Sequence, residues 1–238
     1  MNCKNCNAEV NLNYCASCGH PVKLKRISGH YIIHEIEHVL HFERGILYTI
    51  RELLLRPGAS IRNFINEDRG RLVKPIIFII LTSLAYTLAD HYFHIEEKYA
   101  KPANAVIGAT ALIFKWITDH YGYGNIIMGA FIALWLKLFF RKSGYNFFEI
   151  LILLCFVMGM GMLILAVFVI IQGLTHTDLM LASGLVTFAY CSWAIGQFFD
   201  SKKATSYVKA FAAYVIGAIS FWLAAYLLGT LIDLFIKH

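Results

Sequence analysis

The stretch FFEILILLCFVMGMGMLILAVFVII, residues 147–171, carries a single charged side chain, Glu149, and that at its beginning. A helix rises about 1.5 Å per residue and a bilayer's hydrocarbon core is about 30 Å thick. A run this long and this apolar therefore reads as a helix in lipid. The whole chain agrees: 58% of its 238 residues are hydrophobic and 15% charged, where a soluble domain carries about 25% charged. Its mean hydropathy is +0.60.

Outward from this stretch lie four more hydrophobic runs. The first, Pro75 to Ala89, reaches crossing length by extending through Tyr92 and Phe93. The second, about 125–140, is short and needs Lys137 to snorkel from its last turn. The others are 179–199 and 207–236. Residues 104–118 are apolar but too short to cross, and read as an interfacial or re-entrant helix. The expected fold class is an all-α membrane protein. It comprises a five-span bundle over 75–238, amphipathic cytoplasmic helices over 23–74 and a small zinc-ribbon-like head over 1–22.

Between about Gly29 and Arg56 the apolar residues recur at helical spacing, from Ile32/Ile33 through Leu53/Leu54, the rhythm of an amphipathic helix. Gly45 is a point to bend or break it. Arg56-Pro57-Gly58 reads as its end, with Ser60 capping a second helix to about Glu67.

Charge sets the expected orientation. The net charge is +6, and before residue 75 there are 11 Lys/Arg against 7 Asp/Glu. With five spans this basic region falls on one side with Arg141, Lys142, Lys202, Lys203 and Lys209. Cytoplasmic loops are enriched in Lys and Arg, which places the N-terminus in the cytoplasm and the C-terminus outside. The polar start of the chain lacks the apolar core of a signal peptide, so insertion is expected to use internal segments.

Cys3-x2-Cys6 and Cys15-x2-Cys18 are two knuckle-like pairs. Four thiolates satisfy a tetrahedral structural zinc, and about twenty residues bury too little to fold without a metal. A cytoplasmic setting disfavours disulfides. Cys155 and Cys191, inside spans, read as small apolar residues.

His30, His34, His38 and His41 fall on one face of the expected helix, within about 80° at about 100° per residue. They are candidates for a second metal or proton site. His34-Glu35-Ile36-Glu37-His38 matches the His-Glu-x-x-His string of zinc proteases, but such short strings arise easily among ten histidines. A polar face at a lipid or protein interface is the ordinary reading. Arg62, Arg69, Arg71 and Lys74 form a basic belt suited to anionic lipid headgroups, at about 1 kcal/mol each near the surface. Nucleic acid fits less well, because Tyr14 is the head's only stacking residue.

Ionisable groups in the spans sit at their ends: Asp90, His91, His94, Glu149, Asp200 and Asp233. A proton-coupled carrier usually puts them near the midplane. Small residues, including Gly159/Gly161 and Ala213-x3-Gly217, point to helix packing. The run Met158 to Met162 reads as packing before pore lining.

The ending Cys-x2-Cys-Gly-His of the head, the pattern Thr49-x3-Leu53-x3-Pro57-Gly58, Pro75 and Tyr145-Asn-Phe-Phe-Glu149 resemble, over most of the chain, a bacterial membrane family known as domain of unknown function 3667. Where that family has a Gly-Lys-Arg turn, this chain has Glu67-Asp-Arg-Gly-Arg71. The Pro-Gly turn before a five-span bundle is more loosely similar to Yip1-type membrane proteins. The resemblance implies a bacterial membrane protein and carries over no catalytic residue; the expected location is the inner membrane. The expected function is an adaptor or accessory effector with a zinc-stabilised head that binds a cytoplasmic protein, and a bundle that anchors or homo-oligomerises among membrane lipids. The alternatives are a pore-forming effector, as in antiviral systems, or a transporter or lipid-acting enzyme.

Overall fold

The structure is a computed structural model that describes residues 9, 14, 16–17, 45–69, 71–95 and 108–236. The chain divides into two compact units, Met1–Glu43 and Arg44–His238. In the first, Glu9 and Tyr14 occupy isolated β-bridge positions and Ala16–Ser17 a turn.

The second unit is helical, with no strand among its described residues. Among the described residues its helices are α1 Ile46–Leu55, α2 Pro57–Asn66, α3 Pro75–Phe93, α4 Ala109–Asp119, α5 Tyr121–Phe139, α6 Phe147–Thr175, α7 Met180–Asp200 and α8 Ala204–Ile236.

Local chemistry sets the boundaries. Gly45, at φ 66°, precedes α1. Arg56, at φ −150° and ψ 61°, leaves the helical region, which the proline that follows it disfavours. Pro57 and Pro75 then open α2 and α3 at the first helical position, where a missing N–H costs nothing. This corrects the expectation for Ser60: α2 is already under way at Pro57, and Ser60 is buried inside it rather than capping it. A capping box opens α6: the Asn146 side chain accepts from the Glu149 N–H, and the Glu149 carboxylate accepts from the Asn146 N–H. His94 and His176 close α3 and α6 in the left-handed region.

Four helices, α3, α5, α6 and α8, are long and apolar enough to cross a membrane, where the sequence reading counts five. The exception is α7, 21 residues long but enriched in Ser, Thr, Gln and Gly. α5 starts at Tyr121 rather than Asn125. The preceding Tyr-Gly-Tyr-Gly stretch forms its first turn, with Gly124 pressed on Ile117 of α4.

α6 is the axis of the bundle. In its most apolar window 67% is buried, against 22–33% for the other three. α3 runs parallel to it, since Phe78 lies near Phe156 and Phe93 near Gly173. A Cβ at Gly159 would meet the Phe78 ring at 2.8 Å, so α3 can approach only because this position is glycine. α7 returns antiparallel: Thr187 meets Gly161 and Cys191 faces Val157. α8 turns back along α7, with Tyr207 against Gly196 and Tyr214 edge-on to Phe188. Met158, Met160 and Met162 are all buried in this packing.

At 33 residues α8 is about 50 Å long, more than the hydrocarbon core. α4 leans on its far portion, where Asp233 caps the α4 N-terminus by accepting from the Ala109 N–H at 2.5 Å and the Thr110 hydroxyl at 3.1 Å.

Candidate functional site

The amphipathic α1–α2 corner docks on the ends of α6 and α7. Leu53 and Ile61 are fully buried, and Phe64 meets Phe156 edge-to-face at 5.2 Å. Glu52 is buried at the corner. Arg56 grips its carboxylate with Nε at 3.2 Å and Nη2 at 3.0 Å, and Ser60 Oγ donates to it at 2.9 Å. The spacing of Glu52 and Arg56 is the favourable i, i+4 helical pair, a signal the sequence reading passed over. These hydrogen bonds from Arg56 hold the Glu52 carboxyl below the usual glutamate range. Desolvation opposes them, and Ser60 adds to them. A cleft of about 70 Å³ opens beside the group, walled also by Asn63, Arg71 and Leu72.

Three further bonds tie the corner in place. Thr49 Oγ1 accepts from the Val73 N–H at 3.1 Å, the Tyr190 hydroxyl donates to the Leu53 carbonyl at 2.9 Å, and Arg71 Nε donates to the Tyr48 hydroxyl at 2.8 Å. Arg62 does more. Its Nη1 donates to the Gln197 and Phe198 carbonyls at 2.6 and 2.8 Å. These are among the last four carbonyls of α7, which have no partner within the helix, and a cation is favourable at that end of the helix dipole. Gly58 makes the approach possible, because a Cβ there would meet the Gln197 carbonyl at 2.5 Å.

The belt residues of the sequence analysis therefore separate. Arg62 caps α7 and Arg71 is held by Tyr48, whereas Arg69 and Lys74 are exposed. Around the same end lie exposed Arg141, Lys142, Lys202 and Lys203. They are brought there by the stacking of Phe140 on Phe199 at 3.8 Å and of Tyr145 against Phe198. Lys137 donates to the Tyr145 carbonyl at 2.5 Å. The opposite end is acidic, with Asp90, Asp119, Asp178 and Asp233. A cavity of about 280 Å³ there is lined by Thr87, Asp90, His91 and His94 of α3 with Thr118, Asp119 and Tyr121.

The candidate zinc ligands Cys3, Cys6, Cys15 and Cys18, and the histidines His30, His34, His38 and His41, lie outside the described residues. Among the described residues no cluster of His, Cys, Asp and Glu has the arrangement of a metal site. Cys155 and Cys191 are buried free thiols in the bundle.

Fold and site together define a polytopic, all-helical membrane protein with most of its described Lys and Arg gathered at one end and a short helical corner clamped there. Residues 43–87, which span that corner and most of α3, match the family described as Protein of unknown function (DUF3667), so the resemblance read from the sequence holds over this segment. No curated protein and no solved structure matches the chain.

Proposed function

We propose that the protein is a membrane adaptor of the bacterial inner membrane. The head, 1–22, holds a structural zinc on Cys3, Cys6, Cys15 and Cys18 and binds a cytoplasmic protein. The bundle anchors it and self-associates, and exposed Arg69 and Lys74 contact anionic headgroups. Four thiolates complete a tetrahedral shell, so the metal stabilises the head and leaves no open position for a substrate. The five-span topology adds α7 as a crossing. That α6 and α8 both run antiparallel to α7 supports this reading, since the chain returns along α7 between two candidate spans. Polar groups on α7 are tolerated where neighbouring helices cover them.

The observation that carries the adaptor reading is the clamp on the α1–α2 corner. Glu52, Arg56, Ser60 and Arg62 are spent on one another and on α7, which makes this corner a structural element of the bundle rather than a reactive site. A bundle so braced suits an anchor for a binding module.

The test is metal analysis of the purified full chain together with photo-crosslinking in cells from positions in the head. The expected result is one zinc per chain and a protein adduct, with both lost in the Cys15→Ser/Cys18→Ser variant while membrane insertion persists. A metal-free wild-type chain, or adducts that survive loss of the cysteines, refutes the reading.

A further inference from the structure

Two buried polar groups lie where α3 meets α5. The Ser83 hydroxyl is 2% exposed and has no hydrogen-bond partner; the Asn125 amide nitrogen, in a residue 7% exposed, has none either. Serines and threonines in apolar helices commonly bond a carbonyl one turn back. Thr82 and Thr87 on either side of Ser83 do so, and Ser83 does not. A polar group left unpaired where no water reaches is costly in a membrane protein. The other such side chains among the described residues, Ser143, Thr187 and Ser192, lie on the turn before α6 and on α7.

The two groups share a seam. A Cβ built on Gly122 would sit 3.7 Å from the Ser83 Cβ, which sets the first turn of α5 against Ser83. Asn125 follows Gly122 by one turn on the same face. Towards the acidic end, Tyr86 and Tyr121 meet edge-on across the same helix pair at 5.2 Å. Beyond them opens the cavity lined by Thr87, Asp90, His94 and Asp119. On α3, Ser83, Thr87 and Asp90 recur at the 4-3 spacing of one helical face, and His94 closes the helix just beyond them. The polar face thus continues from the open cavity to the two buried groups. In the other direction it stops, because Ile132, Ala133 and Leu136 of α5 are fully buried in the apolar core.

We propose that this α3–α5 seam is a hydrated dead-end pocket, entered from the acidic end, that binds water at Ser83 and Asn125. Water matches the donors and acceptors. The orphaned atom of Asn125 is a donor that calls for an oxygen acceptor, and the Ser83 hydroxyl can both donate and accept, a pairing that a neutral water satisfies. A water bridging the Ser83 hydroxyl and the Asn125 amide, and bonded to a second water towards Thr87, has the two to four polar partners a buried water requires. The inference is independent of the adaptor reading and does not involve the head.

The test uses methyl methanethiosulfonate, a small neutral reagent, on the full chain in lipid vesicles, with the modified residue identified by mass spectrometry. The reagent attacks the thiolate, which forms where water solvates the sulfur. Ser83→Cys and Asn125→Cys are expected to react at least ten-fold faster than Leu84→Cys, on the exposed face of α3, and than the native buried Cys155. Thr87→Trp, which fills the mouth, should slow Ser83→Cys at least ten-fold. Asn125→Cys tests the pocket separately if Ser83→Cys does not fold. Rates at either position no faster than those of Leu84→Cys and Cys155, or rates indifferent to Thr87→Trp, overturn the proposal.

Discussion

Glu52 shows how one buried charge can be made to serve a fold. Its carboxylate is taken out of water but receives three hydrogen bonds, two of them from a guanidinium. Removing such a group leaves its partners unmatched, so Glu52→Ala should cost about 1–3 kcal/mol, measured by thermal unfolding in detergent. The pH dependence has a definite sign. Arg56 lowers the folded carboxyl pKa below its ordinary value of 4.5. The contribution of Glu52 is therefore complete above that value and is lost as the pH falls through the lowered one. The wild type should lose stability on acidification in that range, and Glu52→Gln should show a flatter acid limb. Equal acid limbs in the two proteins would remove Glu52 from this role. The pair was legible as an i, i+4 spacing, but its burial and the third bond from Ser60 depend on α2 folding back onto α1.

At the level of elements, helix ends are completed by other helices. Arg62 of α2 closes the C-terminus of α7, and Asp233 of α8 closes the N-terminus of α4. Asp233→Ala should release α4, costing about 0.5–2 kcal/mol as for other N-caps, with faster amide exchange at residues 109–112 and little change in α5. Unchanged protection there would show that α4 does not depend on this cap. Neither closure is visible as a local motif, because the partners are separated by more than a hundred residues: 135 for Arg62–Gln197 and 124 for Ala109–Asp233. By contrast, the capping box of α6 and the prolines that open α2 and α3 use neighbours in sequence. Ser60 illustrates the difference, since as a local signal it reads as a cap whereas in the fold it is a buried donor to Glu52.

At the scale of the helical unit the described cations gather at one end, with exposed Arg141, Lys142, Lys202 and Lys203 beside α2, while Asp90, Asp119, Asp178 and Asp233 lie at the far end. If the basic end faces the cytoplasm as the positive-inside rule implies, single cysteines at Lys142 and Lys202 should react with a membrane-impermeant maleimide in inside-out vesicles. A cysteine at Thr177 should react in right-side-out ones. The reverse pattern would invert the proposed topology, and labelling of Lys142 and Lys202 from opposite sides would mean that α6 and α7 do not both cross.

The sequence by itself determined the class of this protein, a helical membrane chain with a strong basic bias and a segment, residues 43–87, that matches a family of unknown function. Apolar length, charge bias and proline placement are properties of contiguous residues and need no partner to be read. Tertiary structure alone decided that α6 forms the axis, that α5 begins through Gly122 and Gly124, and that the basic belt separates into a helix cap, a tyrosine-held arginine and two exposed cations. It also placed two unpaired polar groups at one helix seam. Such outcomes rest on which faces meet, and a helix of nearly uniform apolarity, as α6 is, gives no local sign of which face that will be.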